Sequence, residues 1–225
     1  MYAGPGAKDL AAAAARAGGA FTAEQLQSFL PRWQEPLKVS QGNDVILFLP
    51  SPSAAGPVEA KAWGDNDAAG RARRLAELYA AAAGGERPSG TGLVVMDGLG
   101  SAVACSLGLN APFGTGRVIP DTGILVGADG GRQYGPILSV NENSNEFRFA
   151  VAGGGGAGGM AAALQVALSR GVDGQPVAVA VAASRPVEGS LVNALACVSG
   201  DPSEDRCAAA HDPRGAGLSA LSAGR

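Results

Sequence analysis

The chain has 225 residues, a formal net charge of −3, 46% hydrophobic residues but only 5% aromatics, and 35 glycines. That length suits one domain whose core is built from small side chains brought close together, or a piece of something larger. Scattered Lys and Arg under a net negative charge exclude the basic field of a nucleic-acid-binding protein, and no run reaches the roughly 18 apolar residues of a membrane span.

The opening "MYAGPGAKDL" has no basic stretch leading into an apolar one, so it does not read as a signal peptide. The Ala-rich "GAKDLAAAAARAGG", Gly6 to Gly19, predicts a helix stopped by a glycine pair. In "TAEQLQSFLPRW", Thr22 with Gln25 three residues on predicts a capped short helix ending before Pro31. "PLKVSQGNDVILFLP", Pro36 to Pro50, reads as a hairpin turning at "QGND". After the breaker "PSPSAAGP", the pattern from about Val58 to Ala83 is helical. It places Leu75, Leu78 and Tyr79 on one face and Arg71, Arg73 and Arg74 towards water.

The second half is richer in strands. "TGLVVMD" and "SAVACSL" read as a strand pair around "GLG", and "TGILVG", "PILSVN" and "FRFAVAG" as further strands. A glycine run, Gly153 to Gly159, then feeds directly into the helix-like "GMAAALQVALSRG". "QPVAVAVAA" and "SLVNALACV" read as a strand-rich end, and "CAAAHDPRGAGLSAL" as a final strand with a turn at "DPRG". Strands with helices before and between them indicate an α+β fold, and no internal repeat is present.

Three groups of residues bear on chemistry. The glycine run is either a flexible linker or a cradle of backbone N–H groups at a helix N-terminus that holds an anion or oxyanion, and its place between strand and helix favours the cradle. No Lys-Ser/Thr follows it, which argues against a phosphate loop. His211, the only histidine, reads as a turn residue; this argues against a Ser-His-Asp apparatus, and with three scattered cysteines against a zinc site. Cys197 and Cys207 flank the polar "VSGDPSEDR" while Cys105 lies in an apolar strand. The spacing is either chance in a reduced protein or a disulfide closing a short loop, which would imply an oxidising compartment.

Serine and threonine remain as nucleophiles. A hydroxyl residue at the start of a buried strand can attack with its own α-amine as base after self-cleavage, which needs no histidine. In order and spacing, "AGGAFTAEQLQSFLPRWQEPL", "PSPSAAG", "GLVVMD", "NAPFGTGRVIPDTGIL" and "AGGGGAGGMAAALQV" resemble the gamma-glutamyltransferases, self-cleaving Ntn hydrolases that break and transfer gamma-glutamyl amides such as glutathione. The resemblance runs from about Tyr2 to Val172. It implies an Ntn-hydrolase-type αββα layered sandwich, incomplete in this single-domain chain. Residues 1–87 resemble the C-terminal part of the family's large subunit and 88–225 its small subunit.

Carried over position by position, the resemblance is uneven. Gly90 falls where the nucleophile stands and Thr91 at its neighbour, so Thr91 or Ser89 would have to substitute. Gly108 replaces a strand threonine, while Asn110 is kept. The acidic pair that binds the substrate amine is reduced to Asp129, and the paired serines to Ser139. Gly155 and Gly156 match the oxyanion-hole glycines. The resemblance implies no cofactor or metal, and the family's long N-terminal portion has no counterpart here. The expectation is therefore a catalytically impaired accessory subunit whose open core another protein chain covers, in a periplasmic or extracellular setting, with a gamma-glutamyl ligand as an optional occupant. The alternatives are a working hydrolase or transferase using Thr91 or Ser89, and the downstream half of an interrupted gene with Met1 inside a longer relative.

Overall fold

A computed structural model describes residues 4–65, 67–83, 90–128, 135–154, 156–198, 202–203 and 205–222. Helix α1 (Pro5–Arg16) has Pro5 in its first turn, where a missing N–H costs nothing, and runs on alanine propensity. Its Ala13 and Ala14, with Ala17, pack against Ile119 and Val126 in a small satellite core. Helix α2 (Ala23–Ser28) carries the expected reciprocal cap: Gln25 N donates to Thr22 Oγ1 at 3.2 Å and Thr22 N donates to Gln25 Oε1 at 2.8 Å.

Strands β1 (Leu37–Gln41) and β2 (Asp44–Phe48) form the predicted hairpin, with Gln41 opposite Asp44 and Gly42 at φ +62° in the first position of a two-residue turn. The helical stretch expected from Val58 to Ala83 is two helices, α3 (Ala55–Trp63) and α4 (Ala68–Ala83). The break has a local cause, since Asp67 accepts a 2.6 Å hydrogen bond from Gly70 N and so caps a new helix. Leu75, Leu78 and Tyr79 face the core as expected, and Arg74 pairs outward with Asp65.

Strands β3 (Thr91–Met96) and β4 (Ala102–Leu107) form a two-stranded sheet of their own. The segment "TGILVG" is not a strand; Leu125 makes one bridge to Val118, and the loop around it packs on α1 instead. After β5 (Ile137–Asn141) and β6 (Glu146–Gly153), the glycine run enters α5 (Gly156–Gly171), whose Met160, Leu164 and Val166 are buried. "QPVAVAVAA" is helical rather than extended, forming α6 (Val177–Ala182). Its buried residues, Val177, Ala180 and Val181, follow the i, i+3, i+4 spacing of a helix face. Strands β7 (Val192–Cys197) and β8 (Cys207–Ala210) complete the chain's sheets, and the turn at Asp212 closes with Gly215 N donating to Asp212 O at 3.1 Å.

The main sheet is antiparallel throughout in the order β1-β2-β5-β6-β7-β8. Helices α3, α5 and α6 cover one face, where Phe48, Trp63 and Phe149 cluster with centroids 6.1 and 6.3 Å apart. The hairpin β3-β4 stacks on the other face, over β6 and β7, with Val94, Met96, Ala102 and Ala104 turned inward against Ala150 and Leu195. Its outward residues Leu93, Val95, Val103 and Leu107 are 48–56% exposed. This is the α+β layered sandwich that was expected; among the described residues, two strands face six.

Cys197 and Cys207 are disulfide-bonded opposite each other on β7 and β8; Cys105 is a free thiol on β4.

Candidate functional site

The start of β3 is where the chain comes closest to an active-site arrangement. Thr91 begins the strand and points outward on the same side as Leu93 and Val95, with its Oγ1 making only a long 3.4 Å contact to Gly92 O. Gly92 faces inward so closely that a β-carbon there would lie 1.9 Å from Ala152 O. The sheets therefore touch backbone to backbone at this point, and only glycine fits.

Gly90 is constrained more severely. Its φ is +106°, and a β-carbon would stand 2.0 Å from Leu107 O and 2.9 Å from Gly108 Cα. The space a side chain would take at position 90 is thus occupied by neighbouring backbone, and Gly108 belongs to the same close approach.

Gly154 lies against this point, its would-be β-carbon 3.0 Å from Gly90 O and 3.8 Å from Thr91 N. Helix α5 begins two residues later, so its first N–H groups and the positive end of its dipole lie at the start of β3. The glycine run is a turn into a helix rather than a linker. Gly156 has φ +88°, a conformation that favours glycine; Gly155 lies outside the described residues.

A cavity of about 170 Å³ adjoins Thr91, lined by Gly90, Gly92, Asn193, Asp212 and the Gly215–Gly217 turn. Asn193 Nδ2 donates to Gly92 O at 2.6 Å and so ties β7 to β3. Asp212, with its side chain 3% exposed, fixes the turn that walls the cavity. It accepts from Arg185 Nη1, from Arg214 Nε at 2.7 Å and from Val192 N at 3.2 Å. Burial pushes the Asp212 carboxyl up, but the Arg214 hydrogen bonds and the Arg185 guanidinium outweigh it and hold it below the usual carboxylate range.

Of the other sequence-derived site residues, Asn110 follows closely on Gly108, whereas Ser139 lies elsewhere. Asn110, at φ +63°, donates from Nδ2 to Ala128 O at 2.9 Å and closes its own loop. Ser139 is buried on the helix-covered face of the main sheet, opposite Ile46 and Phe149, in a separate 90 Å³ cleft with Gln41, Arg170 and Gly171. That cleft is at the C-terminal end of α5, the far end from Thr91. Ser89 and Asp129 lie outside the described residues. His211 bonds Ser219 Oγ through Nδ1 at 3.0 Å and does not touch Thr91's hydroxyl.

Asn193 and Asp212 were not singled out from the sequence. A lone amide inside the apolar "SLVNALACV" is the signal that could have marked Asn193, whereas Asp212 is indistinguishable locally from any turn aspartate.

No family model and no curated protein sequence matches the chain. Among solved structures, cephalosporin acylase from Bacillus halodurans is 18% identical with a TM-score of 0.74, covering 100% of this chain and 60% of its own. A highly active mutant of gamma-glutamyltranspeptidase from Pseudomonas nitroreducens is 18% identical with a TM-score of 0.48, covering 59% of this chain and 98% of its own. The acylase likeness shows the fold, that of an Ntn hydrolase, and this chain spans 60% of that acylase's length. Among the described residues, no helix is long and apolar enough to cross a membrane.

Proposed function

We propose that this Ntn-type chain is a gamma-glutamyltransferase-like protein that no longer carries out acyl transfer and serves as an accessory subunit of a larger assembly. The observation that carries this reading is Gly90. An N-terminal nucleophile must be the residue whose amine self-cleavage frees, and at this position glycine supplies no hydroxyl. The backbone of Leu107 and Gly108 occupies the space a side chain would need. Losing the attacking oxygen removes far more rate than a retained oxyanion cradle restores.

Further support comes from the placement of Ser139, a carried-over binding residue that lies at the far end of α5 from Thr91. The half-exposed outer face of β3-β4 suits a chain that functions against a partner, with residues 1–87 and 88–225 corresponding to the two subunit portions of the family. The Cys197–Cys207 bond favours an oxidising compartment, periplasmic or extracellular.

A second reading rests on a specific observation, the approach of Gly154 and the α5 N-terminus to Thr91. In it, Thr91 attacks a gamma-glutamyl amide such as glutathione, with the α5 N-terminus holding the oxyanion. Intact mass spectrometry of the purified protein, paired with release of nitroaniline from gamma-glutamyl-p-nitroanilide, separates the two. An uncut, inactive chain is expected. Two fragments meeting at Ser89, Gly90 or Thr91, together with hydrolysis that Thr91→Ala abolishes, would establish the second reading and end the first.

A further inference from the structure

The hairpin β3-β4 stacks over β6 and β7, so the next strand of the main sheet, β8, has no strand above it. The space left there is a groove of about 290 Å³ along the free edge of β3 from Leu93 to Gly98. Leu195, Cys207 and Ala209 form its floor, and the terminal segment Leu218–Ser222 forms its far wall. Neighbouring strands lie ~4.8 Å apart, so one strand's width separates β3 from a position directly above β8.

Strand edges left open in natural proteins are normally guarded by a charge, a proline or a bulge. β3, reading Thr-Gly-Leu-Val-Val-Met, has none of these, and among the described residues it pairs with β4 alone. Among the described residues, the groove's charged lining is confined to Asp97 at the strand's end. A neutral apolar floor beside an unguarded edge is complementary to an extended segment that is uncharged and apolar at alternate positions.

Size argues against a second copy of this chain packing hairpin on hairpin. The half-exposed Leu93, Val95, Val103 and Leu107 amount to a few hundred Å², against the roughly 800 Å² that a stable interface takes from each partner. Two copies pairing edge to edge would also be held apart, because β8 and the terminal segment project beyond β3. A single strand meets neither obstacle and adds main-chain hydrogen bonds to apolar burial.

We propose that this groove is a strand-addition site: a partner polypeptide lays one extended segment over β8, hydrogen-bonds to the free edge of β3 and directs alternate apolar side chains onto Leu195 and Ala209. The proposal rests on the accessory-subunit reading for its biological sense, but the groove itself does not depend on whether the chain is catalytic.

The test uses the full chain, with a synthetic peptide of alternating valine and threonine flanked by lysines as the probe strand. Amide hydrogen exchange is followed residue by residue. At saturating peptide, exchange in β3 is expected to slow at least tenfold. Ala209→Arg on the floor and, as a milder block, Ala220→Arg on the wall should abolish that protection, and a peptide with a central proline should give none. Protection without peptide of the β3 amides that face away from β4 would mean that the terminal segment fills the groove, and would overturn the proposal. Protection confined to other elements, or undiminished in both arginine variants, would overturn it as well. Gamma-glutamyl hydrolysis by the same preparation would end the accessory reading while leaving the groove result standing.

Discussion

The side-chain amide of Asn193, in the middle of an apolar strand, donates to the carbonyl of Gly92 at 2.6 Å. This single bond joins the two sheets where the cavity beside Thr91 opens, and it satisfies a carbonyl in a place where Gly92 lets backbones meet. Sequence position gives no hint of it, since 101 residues separate the partners. Asn193→Ala should leave a buried carbonyl unpaired and lower stability by roughly 1–3 kcal/mol, read as a lower midpoint in urea unfolding.

Placing a hydroxyl side chain at position 90 should not create acyl-transfer chemistry. Gly90→Thr forces a β-branched residue into φ +106° and sets its Cβ 2.0 Å from Leu107 O. A cost of at least ~1–3 kcal/mol from backbone conformation alone is expected, increased by the clash. Thermal unfolding should show the loss, and gamma-glutamyl-p-nitroanilide turnover should stay at background. Activity in a stably folded Gly90→Thr protein would mean that the start of β3 can move aside.

Asp212 should behave as a structural hub. Replacing it with Ala leaves Arg185, whose side chain is 1% exposed, without its carboxylate, a change that costs about 3–5 kcal/mol when a buried pair is broken. Its folded pKa is lowered from 3.8, so its stabilising contribution is complete above that value and is lost as pH falls through the folded pKa. The variant should therefore be less stable at neutral pH and lose less on acidification below pH 3.8, as acid titration followed by circular dichroism would report.

Glu59 predicts the opposite pH dependence. It is 0% exposed on α3, both its carboxyl oxygens are without hydrogen-bond partners among the described residues, and burial raises its pKa well above 4.5. Below the unfolded value of 4.5 it costs no ionisation energy; as pH rises from there towards its folded pKa, stability is lost. Glu59→Met should gain roughly 1–3 kcal/mol at pH 7 by removing two unpaired oxygens, and Glu59→Gln should flatten the stability–pH profile above pH 4.5.

The disulfide yields a mass and a stability prediction together. Cys197 and Cys207 are 10 residues apart, and closing a loop of that length restrains the unfolded chain by about 3 kcal/mol. Reduction should raise the mass by about 2 Da and lower the melting temperature. Before reduction only Cys105 should react with a thiol reagent in denaturant, and afterwards all three cysteines should.

Local signals were the legible ones. The Thr22–Gln25 cap, the Gly42 turn and the glycine entry into α5 are each determined within a few residues, and each stands as the pattern implied. "VAVAVA" failed for a physical reason. Its valines alternate as in a strand, yet Val179 is 55% exposed while Ala180 is buried, and only packing against α5 and β8 decides that in favour of a helix. The site was legible as glycines and invisible as partners. The resemblance places an expected nucleophile position at Gly90 from local motifs, but the Leu107 carbonyl packed against it is a long-range contact. Likewise nothing local shows that the register of Ser139 puts it on the helix-covered face, beside Ile46 and Phe149.

The strand order has a consequence for how the chain folds. β1-β2, β3-β4, β5-β6 and β7-β8 are each closed by short connections and can form early from local contacts. The main sheet then waits on two junctions, β2 with β5, where Val45 meets Val140, and β6 with β7, across α5 and α6. Loop-closure entropy is concentrated there. Substitutions at Val45 or Val140 should therefore slow assembly, whereas those within the hairpin turns should chiefly alter the lifetime of the finished sheet.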